Sequence, residues 1–142
     1  MIREKSCGAV IWHDGEEGRE YLIEHMVKGH SSLCKGHVEG KETEHETAVR
    51  EIREETDLRV AFCRGFRETI SYSPYPGCIK LVVFFLAEAK EKTVRAQPEE
   101  VAELLWLPLD RALAELTHES DRNVLRKADA WLEQRETRSR GR

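Results

Sequence analysis

Cysteine is sparse: the chain has four in 142 residues, at positions 7, 34, 63 and 78, and none forms a C-x-x-C pair. That is too few for the disulfide lattice of a small secreted domain. Cys7 and Cys78 fall in apolar, strand-like stretches and read as small buried hydrophobes. Cys34 stands beside Lys35 but is not taken as a catalytic thiol. The six histidines show no zinc spacing, and Cys34-x-x-His37 alone does not make a tetrahedral site. Long apolar runs are missing as well. The longest, Leu81 to Ala87, falls far short of the ~20 residues that cross a bilayer as a helix. Positive charge is not in excess, with Lys+Arg 23 against Asp+Glu 27 and a net charge of -4. A general nucleic-acid coat is therefore not expected. No apolar stretch of the secretory kind follows Met-Ile-Arg-Glu-Lys. The expectation is a soluble, cytoplasmic protein with neither a membrane nor a nucleic acid as partner.

What is present is a foldable chain, 39% hydrophobic and 35% charged. Its length predicts a single domain over 1–142, with the polar, basic residues from about 136 to 142 frayed. Ser6–Trp12 and Tyr21–Val27 read as strands separated by the turn-prone Asp14–Gly18. The stretch 29–40, with glycines at 29, 36 and 40, reads as loop. Thr43 followed by Glu46 forms a capping box and predicts a helix from about Glu44 to Thr56. Arg59–Ser71 and Cys78–Ala87 are strand candidates joined by the Pro74-Tyr75-Pro76-Gly77 turn. Val101–Leu107 is one more strand, and helices follow at Leu109–Leu116 and about Ser120–Arg135. Strands interspersed with helices in this way predict a mixed α/β sandwich.

The helix after Thr43 carries an unusual charge pattern. Ala48, Val49 and Ile52 share one arc and can pack on a sheet. Glu51, Glu54 and Glu55 converge on a neighbouring arc, because positions three and four apart are adjacent on a helix. Three carboxylates within a turn repel one another, and toward the C-terminal end the helix dipole disfavours them as well. Divalent cations relieve that conflict, and hard oxygen ligands of this kind suit Mg²⁺ or Mn²⁺. A solvated face would also use the i,i+4 pairs Glu46–Arg50 and Arg50–Glu54, so the helix alone leaves both readings open.

The preceding loop extends the pattern. Gly36–Leu58 reads GHVEGKETEHETAVREIREETDL and resembles the Nudix box, G-x5-E-x7-R-E-U-x-E-E-x-G-U, where U is aliphatic. Gly36, Glu42, Arg50, Glu51, Ile52, Glu54, Glu55 and Leu58 fall in register. The exception is Asp57, which stands where the pattern has glycine at a left-handed helix terminus, a conformation Asp tolerates at a cost of about 1 kcal/mol or less. Length and element order also look like a whole Nudix domain, which implies an α/β/α sandwich with a mixed sheet. The resemblance implies a hydrolase for a nucleoside diphosphate linked to another group, using Mg²⁺ or Mn²⁺. It assigns catalysis to Arg50, Glu51, Glu54, Glu55 and Glu100, with Glu51 as the base and Glu42 with Arg50 bracing the loop. Metal ligands on this reading are Glu51, Glu54, Glu55, Glu100 and the carbonyl of Gly36. Glu100 is selected by counting back six residues from Trp106, and Glu99 beside it stays open; both also fit a loop kept soluble by charge.

Lys35-Gly36-His37-Val38-Glu39 resembles the K-G-H-x-E segment of the diadenosine tetraphosphate hydrolase branch. That likeness implies a small-molecule nucleotide substrate held by Lys35, His37 and Lys80, with Tyr72 or Tyr75 stacking on a base. Both tyrosines could instead pack beside Pro74 and Pro76. Ser31, Cys34 and Leu104 stand where the branch usually has tryptophan, proline and a second base-facing tyrosine. Alternatives are a pyrophosphatase for ADP-ribose, NADH or a (deoxy)nucleoside triphosphate, or a non-catalytic nucleotide-binding module. The expected assembly is a monomer or homodimer.

Overall fold

The computed structural model describes residues 1–140. Its elements in chain order are β1 (Ile2–Gly15), β2 (Gly18–Met26), β3 (Ser31–Ser32), β4 (Cys34–His37), α1 (Glu44–Thr56), β5 (Val60–Phe62), β6 (Glu68–Tyr72), β7 (Cys78–Ala89), β8 (Val101–Leu107), α2 (Leu109–Glu115) and α3 (Glu119–Arg140). All eight strands join one mixed sheet, with β3-β2-β1-β7-β5 as its main path, while β4 pairs with β1, β6 with β7 and β8 with β2. β1 and β7 run parallel from Ile2↔Cys78 to Trp12↔Glu88. The other pairings are antiparallel.

Alternation along β1 divides the core into two. Val10 and Trp12 point to the side where Leu116, Leu125, Ala128 and Leu132 of the C-terminal half complete an apolar cluster. Ala9 and Ile11 point the other way, to Leu22, Cys34 and the α1 residue Ile52. Helices cover both faces of the sheet, so the α/β/α architecture expected from the sequence is the one found. Among the described residues no helix is long and apolar enough to cross a membrane.

Local chemistry accounts for α1. Thr43 accepts from the Glu46 N–H, and the Glu46 carboxylate accepts from the Thr43 N–H, closing the capping box. At the other end Asp57 adopts φ 60° and ψ 18°, and its N–H donates to the Arg53 carbonyl. The left-handed terminus is therefore present without glycine.

Several elements depart from expectation. The stretch 29–40 contains two short strands rather than loop alone, because β4 is drawn against β1 from Ser6↔His37 to Ala9↔Cys34. Gly8 permits this approach, since a Cβ there would collide with the backbone of Cys34 and Lys35. The candidate strand 59–71 is two strands, broken near Gly65 at φ +96°. Val49 is 46% exposed instead of inward; Thr47 and Thr56 take the buried positions and satisfy their hydroxyls on Glu42 and the Ile52 carbonyl. The C-terminal stretch expected to fray from 136 is helical through Arg140. Arg19 secures it, donating to Asp129 at 3.2 Å, Glu133 at 3.1 Å and Glu136. Residues 141–142 of that expected tail lie outside the described residues.

Candidate active site

α1, β4, the start of β7 and the loop before β8 border an open cleft of about 590 Å³. Glu51, Glu54 and Glu55 line it from the helix, Lys35, Gly36 and His37 from β4, Lys80 from β7, and Gln97, Glu99 and Glu100 from the loop. Residues far apart in the chain thus share one concavity, and all the expected acidic groups are among them.

Arg50 organises the acidic side. Its guanidinium donates to Glu42 at 2.7 and 3.0 Å, to Glu51 at 2.8 Å, to Glu54 at 3.1 Å and to the His37 carbonyl at 2.8 Å. One planar fork therefore ties the loop before α1 to the helix and to β4. The contact holds the Glu42 carboxyl at about 2, mainly through the Arg50 bonds. Glu51 packs directly on Gly36, where any Cβ would overlap its carboxylate, so a side chain there would push Glu51 out of its bond with Arg50.

Burial raises the Glu51 pKa despite Arg50, and the charges of Glu54 and Glu100 push the same way. Glu99 and Glu100 both line the cleft, and the charge of Glu100 is among those that raise Glu51. Glu55 is raised as well, first by burial and then by the charge of Glu24. These carboxylates line one cleft, Glu51 and Glu55 among them desolvated, and oxygen donors of this kind are what a hard divalent cation takes. Among the described residues, however, their ligand atoms do not gather within 4.8 Å of one another as those of Glu24, Cys34 and Glu55 do. Glu51, Glu54, Glu55, Glu100 and the Gly36 carbonyl are the groups that would hold it.

Opposite the acids stand Lys35 and Lys80. Burial and the charge of Lys35 lower the Lys80 pKa, and among the described residues neither lysine forms an ion pair. Tyr72 pairs across the sheet with Lys80 and lines an adjoining hollow of about 230 Å³ that shares His30 and Lys35 with the cleft. Tyr75 lies in the β6–β7 turn and lines neither. Packing against the neighbouring prolines does not bury them, since Tyr72 is 40% and Tyr75 45% exposed. Leu104 is partly buried in the core beside α1.

Cys34 is fully buried, and its thiol pKa is pushed well up by desolvation. It donates to Glu55 at 3.2 Å and is no nucleophile. Glu24, by contrast, was not singled out by any motif. It is 1% exposed, beneath Glu55. The available signal was a lone acid directly after the apolar run Tyr21-Leu22-Ile23, two residues beyond the inward-facing Leu22.

Residues 5–128 match the NUDIX domain family. An 8-oxo-(d)GTP phosphatase of Mycolicibacterium smegmatis is 33% identical over 133 residues, which are 87% of this chain but 40% of that protein. The chain thus spans less than half of that relative. The asymmetrical bis(5'-nucleosyl)-tetraphosphatase of Mus musculus is 37% identical over 120 residues, covering 76% of this chain and 81% of the mouse protein. The crystal structure of a C. elegans Ap4A hydrolase binary complex superposes with a TM-score of 0.85 at 26% identity, over 92% of this chain and 98% of that one.

Proposed function

The chain belongs to the NUDIX family, and from that premise we propose that it is a hydrolase that cleaves the phosphoanhydride of a dinucleoside polyphosphate, turning diadenosine tetraphosphate into ATP and AMP. The observation that carries this reading is the cleft itself, whose lining brings Glu51, Glu54, Glu55 and Glu100 together with Lys35 and Lys80, neither of which forms an ion pair among the described residues. A divalent cation, Mg²⁺ or Mn²⁺, held by Glu51, Glu54, Glu55, Glu100 and the Gly36 carbonyl would offset phosphate charge and acidify a water. Glu51 accepts the proton of the attacking water, and burial, by raising its carboxyl pKa, strengthens it as a base. The water oxygen bonds to phosphorus as the bridging P–O bond breaks, its electron pair leaving with the departing phosphate. Arg50 keeps Glu51 and Glu54 oriented while this happens. Lys35 and Lys80 bind the rest of the phosphate chain, each charge-assisted contact contributing roughly 1.5–3 kcal/mol when desolvated. His37 lines the same wall, and Tyr72, at the adjoining hollow, supplies a face for a base; Tyr75 has no such position. The complete glutamate set argues against a binding module without turnover, since binding alone needs no proton acceptor.

A second reading, a pyrophosphatase for shorter substrates such as ADP-ribose, NADH or a (deoxy)nucleoside triphosphate, is favoured by Leu104, which stands where the diadenosine tetraphosphate hydrolase branch usually has a second base-facing tyrosine and is packed into the core beside α1. The two part on a substrate panel with Mg²⁺ or Mn²⁺, products resolved by chromatography. Diadenosine tetraphosphate is expected to give ATP and AMP with the highest kcat/KM, and Lys80→Ala to slow it more than ADP-ribose. A higher value for ADP-ribose or a deoxynucleoside triphosphate, or an equal loss on all substrates, would replace the first reading by the second.

A further inference from the structure

A glutamate stands where β2 calls for a hydrophobe. Strand alternation sends Tyr21 and Ile23 into the core beneath α2 and α3, and sends Leu22 into the core beneath α1. Glu24 follows Leu22 by two and is 1% exposed. Its carboxylate, the Cys34 sulfur and the Glu55 carboxylate offer ligand atoms that all lie within 4.8 Å of one another. Cys34 donates its single S–H to Glu55 at 3.2 Å. The Glu24 Oε2 atom, fully enclosed, has no hydrogen-bond partner. An enclosed carboxylate oxygen without a partner is among the costliest groups a core can hold. A second carboxylate against it adds repulsion. Such a pair calls for a shared proton or a cation between the two groups, and among the described residues no lysine or arginine forms an ion pair with either.

We propose that Glu24 is a further ligand of the divalent cation, completing from β2 the donor set that α1 presents through Glu55. The proposal rests on the hydrolase reading above, but Glu24 lies outside the 36–58 pattern and on a different element. Two carboxylates from a strand and a helix are hard oxygen donors of the kind Mg²⁺ and Mn²⁺ take. The Cys34 thiol, protonated in its apolar surroundings, orients Glu55 rather than ligating. Ligands fixed on two packed elements would set the cation's position with little freedom, and the orphaned oxygen gains its missing partner.

The test is Mn²⁺ binding to the full chain without nucleotide, read from the electron paramagnetic resonance of free Mn²⁺. Glu24→Gln keeps the shape and removes the charge. Glu24→Leu matches the apolar surroundings and secures a folded variant if the amide is poorly accommodated. Both are expected to lose one bound equivalent or to weaken binding about 10- to 100-fold. Cys34→Ala removes the thiol contact but no carboxylate, and is expected to bind Mn²⁺ like the parent. Parental affinity and stoichiometry in a folded Glu24 variant would overturn the proposal while leaving the hydrolase reading intact. A loss in Cys34→Ala equal to that in Glu24→Gln would assign the effect to packing and overturn it too. A parent chain that binds no Mn²⁺ at all would sink the metal centre of the hydrolase reading itself.

Discussion

The two faces of the sheet are built on opposite terms. Beneath α2 and α3 the contacts are mainly aliphatic and aromatic, from Trp12 and Phe84 to Leu125 and Leu132, with Asp121 buried at the start of α3 and Arg19 at the edge with several acidic partners. Beneath α1 the aliphatic cluster is smaller, and Glu24, Glu51 and Glu55 are buried in or beside it. One face lowers the free energy of the fold by removing apolar surface from water. The other gives some of that up to hold carboxylates close together in a poorly solvated place, where their basicity and their affinity for cations rise. Chemistry and cohesion are thus separated by the thickness of one sheet.

Breaking each face in turn tests the division. On the α1 face, Glu51→Gln removes charge and basicity at constant shape. Turnover is expected to fall on the order of 10²- to 10⁴-fold at saturating Mg²⁺, with a thermal melt close to the parent's; near-parental rates would remove Glu51 from its role as base. On the opposite face, Leu132→Ala should cost about 2–5 kcal/mol in denaturant unfolding, while the folded fraction keeps its kcat. A large drop in kcat per folded molecule would show that the faces are coupled.

The pH profile of the metal-free chain sharpens the contrast. Burial raises the carboxyls of Glu24 and Glu55, so the folded state binds more protons than the unfolded one above the ordinary carboxylate range. Stability is then expected to fall as pH climbs from about 4.5 through neutrality. Glu44 acts in the other direction. Its bonds to Arg67 and Lys5 hold its pKa at about 2, so its contribution is present above the ordinary carboxylate range and disappears as pH drops toward 2. Melts across this range should show the high-pH decline, and excess Mg²⁺ should flatten it. A metal-free profile rising into the alkaline range would contradict the burial of the pair.

The smallest effect is expected at the end of α1, where both faces are indifferent. Asp57 is left-handed at φ 60°, and Asp57→Gly should stabilise the chain by up to about 1 kcal/mol without changing turnover. Chemical denaturation resolves a shift of that size, and a loss of stability would mean that the Asp57 side chain contributes something its backbone does not reveal.

What was legible in the sequence follows the range of the forces involved. α1 is found over Glu44–Thr56 because a capping box, a helical charge pattern and a left-handed terminus are all local. β8 is likewise found as read, bounded by Pro108. β3 and β4 were not legible, since pairs of this length exist only where a neighbouring strand supplies the ladder. Val49 was misplaced because apolarity alone does not say which arc faces the sheet, and Thr47 competes by bonding Glu42. The C-terminal helix was cut short because its anchor, Arg19, lies at the far end of the chain. Among the site residues, Glu51, Glu54 and Glu55 stand out by helical spacing, while Glu100, Lys35 and Lys80 are named only through the family resemblance. Glu24 could be named by neither, because its meaning comes from Cys34 and Glu55, which reach it only in the folded protein.

The parallel ladder between β1 and β7 also sets an order of events. Lys80 stands on one side of β1, opposite Glu4, while Gly36 and His37 stand on the other, opposite Cys7 and Ser6. Closing that ladder joins segments separated by most of the intervening chain, an entropically slow step compared with forming α1. During folding or synthesis, the acidic helix can therefore form well before Lys80 faces it. A chain ending before Cys78 would carry Glu51, Glu54, Glu55 and Lys35 but neither Lys80 nor Glu100, so the cleft is completed late in the birth of the molecule.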